Sequence, residues 1–378
     1  MFVFIALALL AARSASAQVT PAAGFVPPDD TPVIRVGATI FGDFTYQKDP
    51  QTKDTDANLI NPSAFNIGRT YINVTGNVSH IINFRITPDI TRVSDASGTL
   101  AGSLAFRLKY GFVQFNLDDW MTRGSWVRVG AQQTPIIDYL ENIYRYRFQG
   151  QVFYENTNGA NGALTSSDTG VSFHYNLPMN YGDIHTGIYN GEGVNGSTLS
   201  GSGAADPNDQ KAFQIRGTLR PFATMAPVLR GLRVTGFYDA DNYVKDAEKK
   251  RAVFNMTFEH QYINAGVDYL SRKDQASSAT KTSVTGNGWS MWLTPKYPLS
   301  AAGSSIEGLI RYEQFTPNTD SATSSQTRKH GTYGIAYWFP HTGGPLAAVL
   351  FDYDTTTSSV TGATTPQNKV AIHALLNF

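Results

Sequence analysis

From Val33 onward the hydrophobic pattern has a period of two, the period of a strand whose two faces meet different surroundings. Ile34, Val36, Ala38, Ile40, Phe44 and Tyr46 alternate with Arg35, Gly37, Thr39, Asp43 and Thr45. Phe213, Ile215 and Leu219 alternate with Gln214, Arg216, Thr218 and Arg220, and Ala252, Phe254, Met256 and Phe258 with Asn255, Thr257 and Glu259. Carried through the chain, the pattern predicts about 16 strands: 33–46, 65–77, 81–91, 104–117, 126–133, 168–175, 183–189, 212–220, 231–239, 251–259, 262–272, 288–296, 305–315, 329–339, 346–353 and 368–378. Most approach the roughly 9–11 residues that a tilted membrane strand needs. The second changes parity near Tyr71-Ile72, which leaves its faces open. Tyr110-Gly111-Phe112-Val113 in the fourth is apolar on both faces and the turn near Tyr262 is short, so counts of 14 or 18 stay open.

The intervals alternate in length. Gaps after odd strands are long and polar: Gln47–Ala64, Arg92–Ser103, Thr134–Ser167, Asn190–Lys211, Ala240–Lys250, Lys273–Asn287, Thr316–Arg328 and Asp354–Gln367. Gaps after even strands are mostly short, such as Val78–His80, Asn176–Gly182, Tyr297–Ser304 and Pro340–Pro345, with Pro221–Arg230 the exception. This is the plan of an all-β transmembrane antiparallel β-barrel, with long extracellular loops and short periplasmic turns. A soluble sandwich has no reason to sort its connections by parity.

The two faces differ chemically. Arg35, Arg85, Arg107, Arg128, Arg216, Arg233, Arg272 and Arg311 share the non-apolar parity with Asp43, Asp89, Asp239, Glu259, Asp268, Glu307 and Glu313. They are expected to line a watery lumen, because Arg or Lys on the lipid face near the midplane costs about 2–4 kcal/mol. Tyr46, Tyr110, Phe112, Tyr175, Tyr238, Tyr269, Trp289, Tyr312, Tyr337 and Tyr353 are expected on the outward parity, as an interfacial girdle. The competing plan, a soluble sheet with one solvated face, requires a second sheet over the other.

Composition narrows the class further. The 378 residues carry 30 Lys+Arg against 30 Asp+Glu, only 16% charged yet 12% aromatic. The balance gives no support to nucleic-acid binding. The absence of cysteine excludes disulfides and thiolate chemistry. No internal run can form an apolar spanning helix; Thr332–Phe351 lacks charged residues but is broken by Pro340, Gly343, Gly344 and Pro345. Phe2–Ala11 is a short apolar core followed by Ala15-Ser16-Ala17, so 1–17 is expected to be a signal peptide, 18–32 a linker and 33–378 the barrel. The expected location is the bacterial outer membrane.

Several stretches carry a resemblance. Val127-Arg128-Val129-Gly130-Ala131-Gln132-Gln133-Thr134-Pro135, Gly187-Ile188-Tyr189-Asn190-Gly191 and Arg216-Gly217-Thr218-Leu219-Arg220-Pro221-Phe222 resemble segments of the phosphate-selective porin O and P family. The terminal strand ending at Phe378 looks like that of bacterial outer-membrane proteins. The resemblance implies a 16-stranded, trimeric diffusion channel without a cofactor. It does not carry over the family's clustered lysines, because Thr134–Ser167 contains no Lys.

Thr134–Ser167 is the longest gap, and long connections are often functional. Folded inward it would narrow the lumen, with Asp138, Glu141, Arg145 and Arg147 as charged lining, Tyr139, Tyr144 and Tyr146 as walls, and Ile137–Arg147 as a short helical turn. Packed outward it would instead meet a neighbouring subunit. Opposed acids and arginines imply a transverse field and weak selectivity, with a slight anion lean. Gly191-Glu192-Gly193-Val194-Asn195-Gly196 matches a dinucleotide pattern but no helix follows it. The seven His are scattered without metal-ligand spacing, and Asp206-Pro207-Asn208-Asp209 lacks a calcium-loop ladder, so no metal site is expected. The expected partners are outer-membrane lipid, further copies of the chain in a homotrimer, and small polar solutes or anions. The alternatives are an outer-membrane barrel enzyme and a secreted β-rich carbohydrate-binding protein.

Overall fold

The computed structural model describes residues 30–93, 102–156, 162–194, 206, 208–275, 279, 282–321, 326–341, 346–359 and 366–378. The expected signal peptide and nearly all of the linker lie outside them. Sixteen strands form one sheet: β1 Val33–Asp49, β2 Ser63–Asn77, β3 Ile82–Arg92, β4 Leu104–Asn116, β5 Trp126–Gln133, β6 Ser167–Asn176, β7 Gly182–Tyr189, β8 Ala212–Leu219, β9 Leu232–Val244, β10 Ala247–His260, β11 Ile263–Gln275, β12 Ser283–Pro298, β13 Ser305–Thr316, β14 Arg328–Trp338, β15 Leu346–Ser358 and β16 Gln367–Asn377. Each pairs antiparallel with its chain neighbours, and β1 closes on β16 from Thr39↔Asn377 to Asp49↔Asn368. Closure leaves no unpaired edge, which is what a sheet needs to cross lipid. One helix, α1 (Pro135–Ile143), follows β5.

Burial alternates in the opposite sense to a soluble sheet. In β8, Phe213, Ile215 and Leu219 are exposed while Gln214, Arg216 and Thr218 are buried. In β10, Phe254 and Met256 face out while Asn255 and Thr257 face in. Apolar side chains thus cover the outside, and among the described residues no second layer covers them. A band of this kind is stable only against lipid. The fold is that of a transmembrane β-barrel.

Two β-bulges settle the faces left ambiguous by pattern. The β1–β2 register slips between Phe41 and Gly42, skipping Gly68, so Arg69 and Tyr71 fall on the lumen face. The parity change expected near Tyr71-Ile72 is therefore a few residues earlier. The β3–β4 register slips at Thr87/Pro88, leaving Lys109 as the extra residue. An extra residue moves every following side chain to the other face. Tyr110 and Phe112, expected outward, consequently lie in the lumen, 5% and 8% exposed, under Arg85 and Arg128 at 4.7 Å each.

Loop lengths need one correction. The gap expected over Ala240–Lys250 is mostly strand, because β9 and β10 continue to a turn at Lys245-Asp246. Above the lipid band a strand has no apolar outer face, so its alternation fades although its backbone ladder does not. The other rim carries the short turns and one long connection, Pro227–Gly231 forming a 3-10 turn within it.

Phe254→Arg introduces a charge on the lipid face of β10 and is expected to lower unfolding stability in lipid vesicles by about 2–4 kcal/mol, against little change for the exposed turn substitution Arg123→Gln; urea titration reads both. At the turn rim, His80 bonds Asp30 at 2.6 Å and Asp119 at 3.0 Å. Those hydrogen bonds, Asp30's first, raise its pKa above the ordinary 6.5. A raised histidine pKa means that the tie is complete below pH 6.5 and is lost as pH rises through the folded-state value. Limited proteolysis at the segment around Asp30 is expected to accelerate across that window, and His80→Ala to abolish the pH dependence.

Candidate constriction site

The segment between β5 and β6 folds into the barrel. Pro135 opens α1 at its first turn, where the missing N–H costs nothing. Ile136, Ile137, Leu140 and Ile143 form the buried stripe of α1, while Asp138, Glu141 and Asn142 lie off it. The helix ends at Ile143, short of the expected Arg147, because Tyr144 is extended and its N–H bonds Leu140 O at 2.7 Å. Tyr144, Tyr146, Phe148, Val152, Phe153, Tyr154, Ala163 and Leu164 continue the apolar surface.

That surface docks on the inner wall. Phe237, Val253, Leu270, Trp292, Leu309, Phe315, Trp338 and Leu350 project inward from β9–β15 and join the same buried cluster. Polar contacts fix the orientation. Tyr139 meets Thr257 at 3.1 Å, Tyr154 donates to Asp268 at 2.9 Å, Tyr146 donates to Glu307 at 3.0 Å, and Asn156 donates to Glu313 at 3.2 Å. Arg145 reaches Glu307 at 3.3 Å and lies over the Trp338 ring at 4.0 Å. Arg147 holds Glu141 and, at 3.1 Å, Glu155. Where Asn156 joins, Glu313 also pairs Arg311 and His330, whose other nitrogen meets Asp354 at 2.7 Å.

Across the barrel from most of the docked loop stands the inner wall of β2–β5. There Asp89, fully buried, draws Arg69 at 2.6 Å and Arg107 at 2.8 Å from the strands on either side. Arg85 donates to Asn73 and Thr87, both at 2.9 Å, Lys109 to the Tyr71 hydroxyl at 3.1 Å, and Arg128 to Gln114 at 2.8 Å. Among the described residues none of these last three has a carboxylate partner. Asp138 and Glu141 from the loop carry the opposite charge: Asp138 lies in the field of Arg128 and Arg85, and Glu141 in that of Arg147 and Lys109.

Of the expected lumen residues, Arg85, Arg107, Arg128, Arg216, Arg233, Arg311, Glu307 and Glu313 turn away from the exposed apolar side chains of their strands, and Arg35 and Asp43 share the non-apolar parity of β1. They do not form one site. Arg35 is exposed near the turn rim, Asp43 accepts from Asn66 at 2.9 Å, and Glu307, Arg311 and Glu313 lie beneath the loop. The alternating pattern leaves Arg69 unassigned, in a strand whose parity shifts, and misses Lys109 and Glu155. It also missed the docking patch, although its signal was present: Phe237, Leu270, Phe315 and Leu350 are apolar residues on the inner parity.

Comparison with solved structures finds the same architecture at low identity. OmpF of Salmonella typhi in complex with daunomycin superposes with a TM-score of 0.59 at 11% identity, covering 91% of this chain and 97% of that one. An anion-selective porin from Comamonas acidovorans gives 0.55 at 11%, covering 92% and 99%. The trimer form of in-vitro folded OmpT, an outer membrane protein of Vibrio cholerae, gives 0.55 at 12%, covering 92% and 100%. No family model and no curated protein matches the sequence.

Arg147 holds two loop carboxylates, so Arg147→Met leaves both uncompensated. A loss of about 3 kcal/mol in unfolding stability is expected, with increased protease access to Thr134–Ser166; Glu155→Gln in the same background is expected to recover part of it.

Proposed function

We propose that the protein is an outer-membrane porin, a water-filled channel for passive diffusion of small hydrophilic solutes. The carrying observation is the loop: it lies inside a closed barrel, packed on one wall, with Asp138 and Glu141 set against an arginine- and lysine-bearing wall. On this reading Asp138, Glu141, Arg145 and Arg147 form the constriction, with Tyr144 and Tyr146 as its rigid backing. The opposed charges set up a transverse field that aligns dipolar solutes and disfavours apolar ones. Arg85, Lys109 and Arg128 lack carboxylate partners, which supports a weak anion preference. The described residues do not favour phosphate in particular: the loop's cations are Arg145 and Arg147, both engaged with carboxylates. The Comamonas porin is anion-selective and the Vibrio barrel was obtained as a trimer; the first supports the anion preference and the second a homotrimer. On this reading the chain is a channel rather than an enzyme, and residues 1–17 are its signal peptide.

Reversal potential in planar bilayers under a potassium chloride gradient tests it. A small shift toward chloride is expected. One unit charge about 6 Å from a passing ion in water is worth about 0.7 kcal/mol, or about threefold in permeability ratio. Asp138→Asn is therefore expected to raise chloride over potassium by about threefold, and Arg85→Gln to lower it similarly. Strong cation preference in the unmodified protein, or no conductance, overturns the reading.

A further inference from the structure

Below the docked loop, toward the turn rim, the β7–β10 wall holds three guanidiniums, Arg216, Arg220 and Arg233, each more than nine-tenths buried. Arg216 pairs with Asp183 and Arg233 with Glu259. Arg220 stands one rung past the Leu219↔Val234 pair, opposite Arg233 across the ladder. It has no carboxylate of its own among the described residues. Its Nη2 donates to the Arg230 carbonyl at 3.3 Å, while its Nε, like that of Arg216, is buried without a partner. His174 shares Asp183 at 3.2 Å, so that carboxylate is not given to Arg216 alone. Three arginines thus face two carboxylates. A buried guanidinium left without a counter-charge is strongly destabilising, and directed N–H donors buried without acceptors add to that cost.

We propose that this cluster is a binding subsite for a small monocarboxylate anion on the channel wall. Within this trio the excess is one positive charge, which one carboxylate neutralises. Planar guanidinium donors match a carboxylate's two oxygens. Tyr139 of α1 lies over Arg216 at 4.8 Å and is anchored on Thr257, so the loop forms the ceiling of the subsite and an occupant sits just past the constriction. The proposal deepens the porin reading, since solute reaches the cluster through the lumen.

The test is line broadening of 13C-acetate by the intact detergent-solubilised barrel, at fixed ionic strength in chloride, alongside acetate titration of single-channel current. Saturable broadening is expected in the unmodified protein and in Arg123→Gln, a turn substitution outside the lumen. Arg220→Gln is expected to weaken it about tenfold, Arg220→Lys to retain most of it, and Glu259→Gln, which frees Arg233, to tighten it. Each variant is first checked for the native heat-modifiable gel band; Glu259→Gln decides the matter where Arg220→Gln does not fold. Absence of saturation, equal binding by folded Arg220→Gln, unchanged or weaker binding by folded Glu259→Gln, or displacement by phosphate at far lower concentration than by a second carboxylate overturns the proposal. Saturable, Arg220-dependent broadening in a protein that passes no current upholds the subsite and sinks the porin reading instead.

Discussion

In hydrocarbon, every backbone N–H and C=O must find a partner within the protein, and that requirement organises the molecule. A helix meets it locally; a sheet meets it only by closing. Here β1 pairs with both β2 and β16, so the sheet has no edge. Closure then inverts the usual distribution of side chains. The outer face must be apolar, and the inner face becomes the one place where arginine and aspartate can sit. The polar lumen is therefore a consequence of the barrel's solution to the backbone problem, before any solute is considered.

A barrel of sixteen strands is too wide for wall side chains to fill, and the loop between β5 and β6 narrows it. Holding that loop takes more than charge. Its apolar stripe on α1 and the run from Tyr144 to Leu164 bury against Phe237, Leu270, Phe315 and Trp338, giving up part of the polar inner wall to hydrophobic packing. The ion pairs around Glu307 and Glu313 act at the margin of that contact and set its orientation. The inner wall becomes two-sided: one side holds the loop and the other carries Arg85, Lys109 and Arg128, the last two packed against the rings of Tyr71, Tyr110, Phe112 and Trp126.

The strand number, their order and most boundaries were legible in the sequence because lipid imposes a strict period of two over each crossing. Reading failed where that constraint lapses. Beyond the lipid band, β9 and β10 keep pairing without alternation, and Ala240–Lys250 read as loop. At Lys109 a single bulged residue exchanged the faces, sending Tyr110 and Phe112 inward; periodicity cannot register an insertion that leaves the hydrophobic content unchanged. The loop's length and its Asp138, Glu141, Arg145 and Arg147 were visible. Which of them face solute and which are spent on each other was not, because the Arg147–Glu141–Glu155 arrangement depends on contacts across distant segments.

The equal totals of acidic and basic residues acquire a meaning that the composition alone lacks. Neutrality of the whole chain does not require neutrality at each level of the lumen. Around Glu313 and His330 the carboxylates are matched by partners, and the region serves as an anchor. Around Asp89 one carboxylate serves two arginines, and around Arg220 two serve three. In a narrow, partly dehydrated passage the interaction of an ion with such a local surplus is stronger than in bulk water and less screened by salt. The local field in a chain of zero net charge is therefore set by where the pairs fail to close, which makes Arg85, Lys109 and Arg220 weigh more in it than the larger number of charges that are already matched.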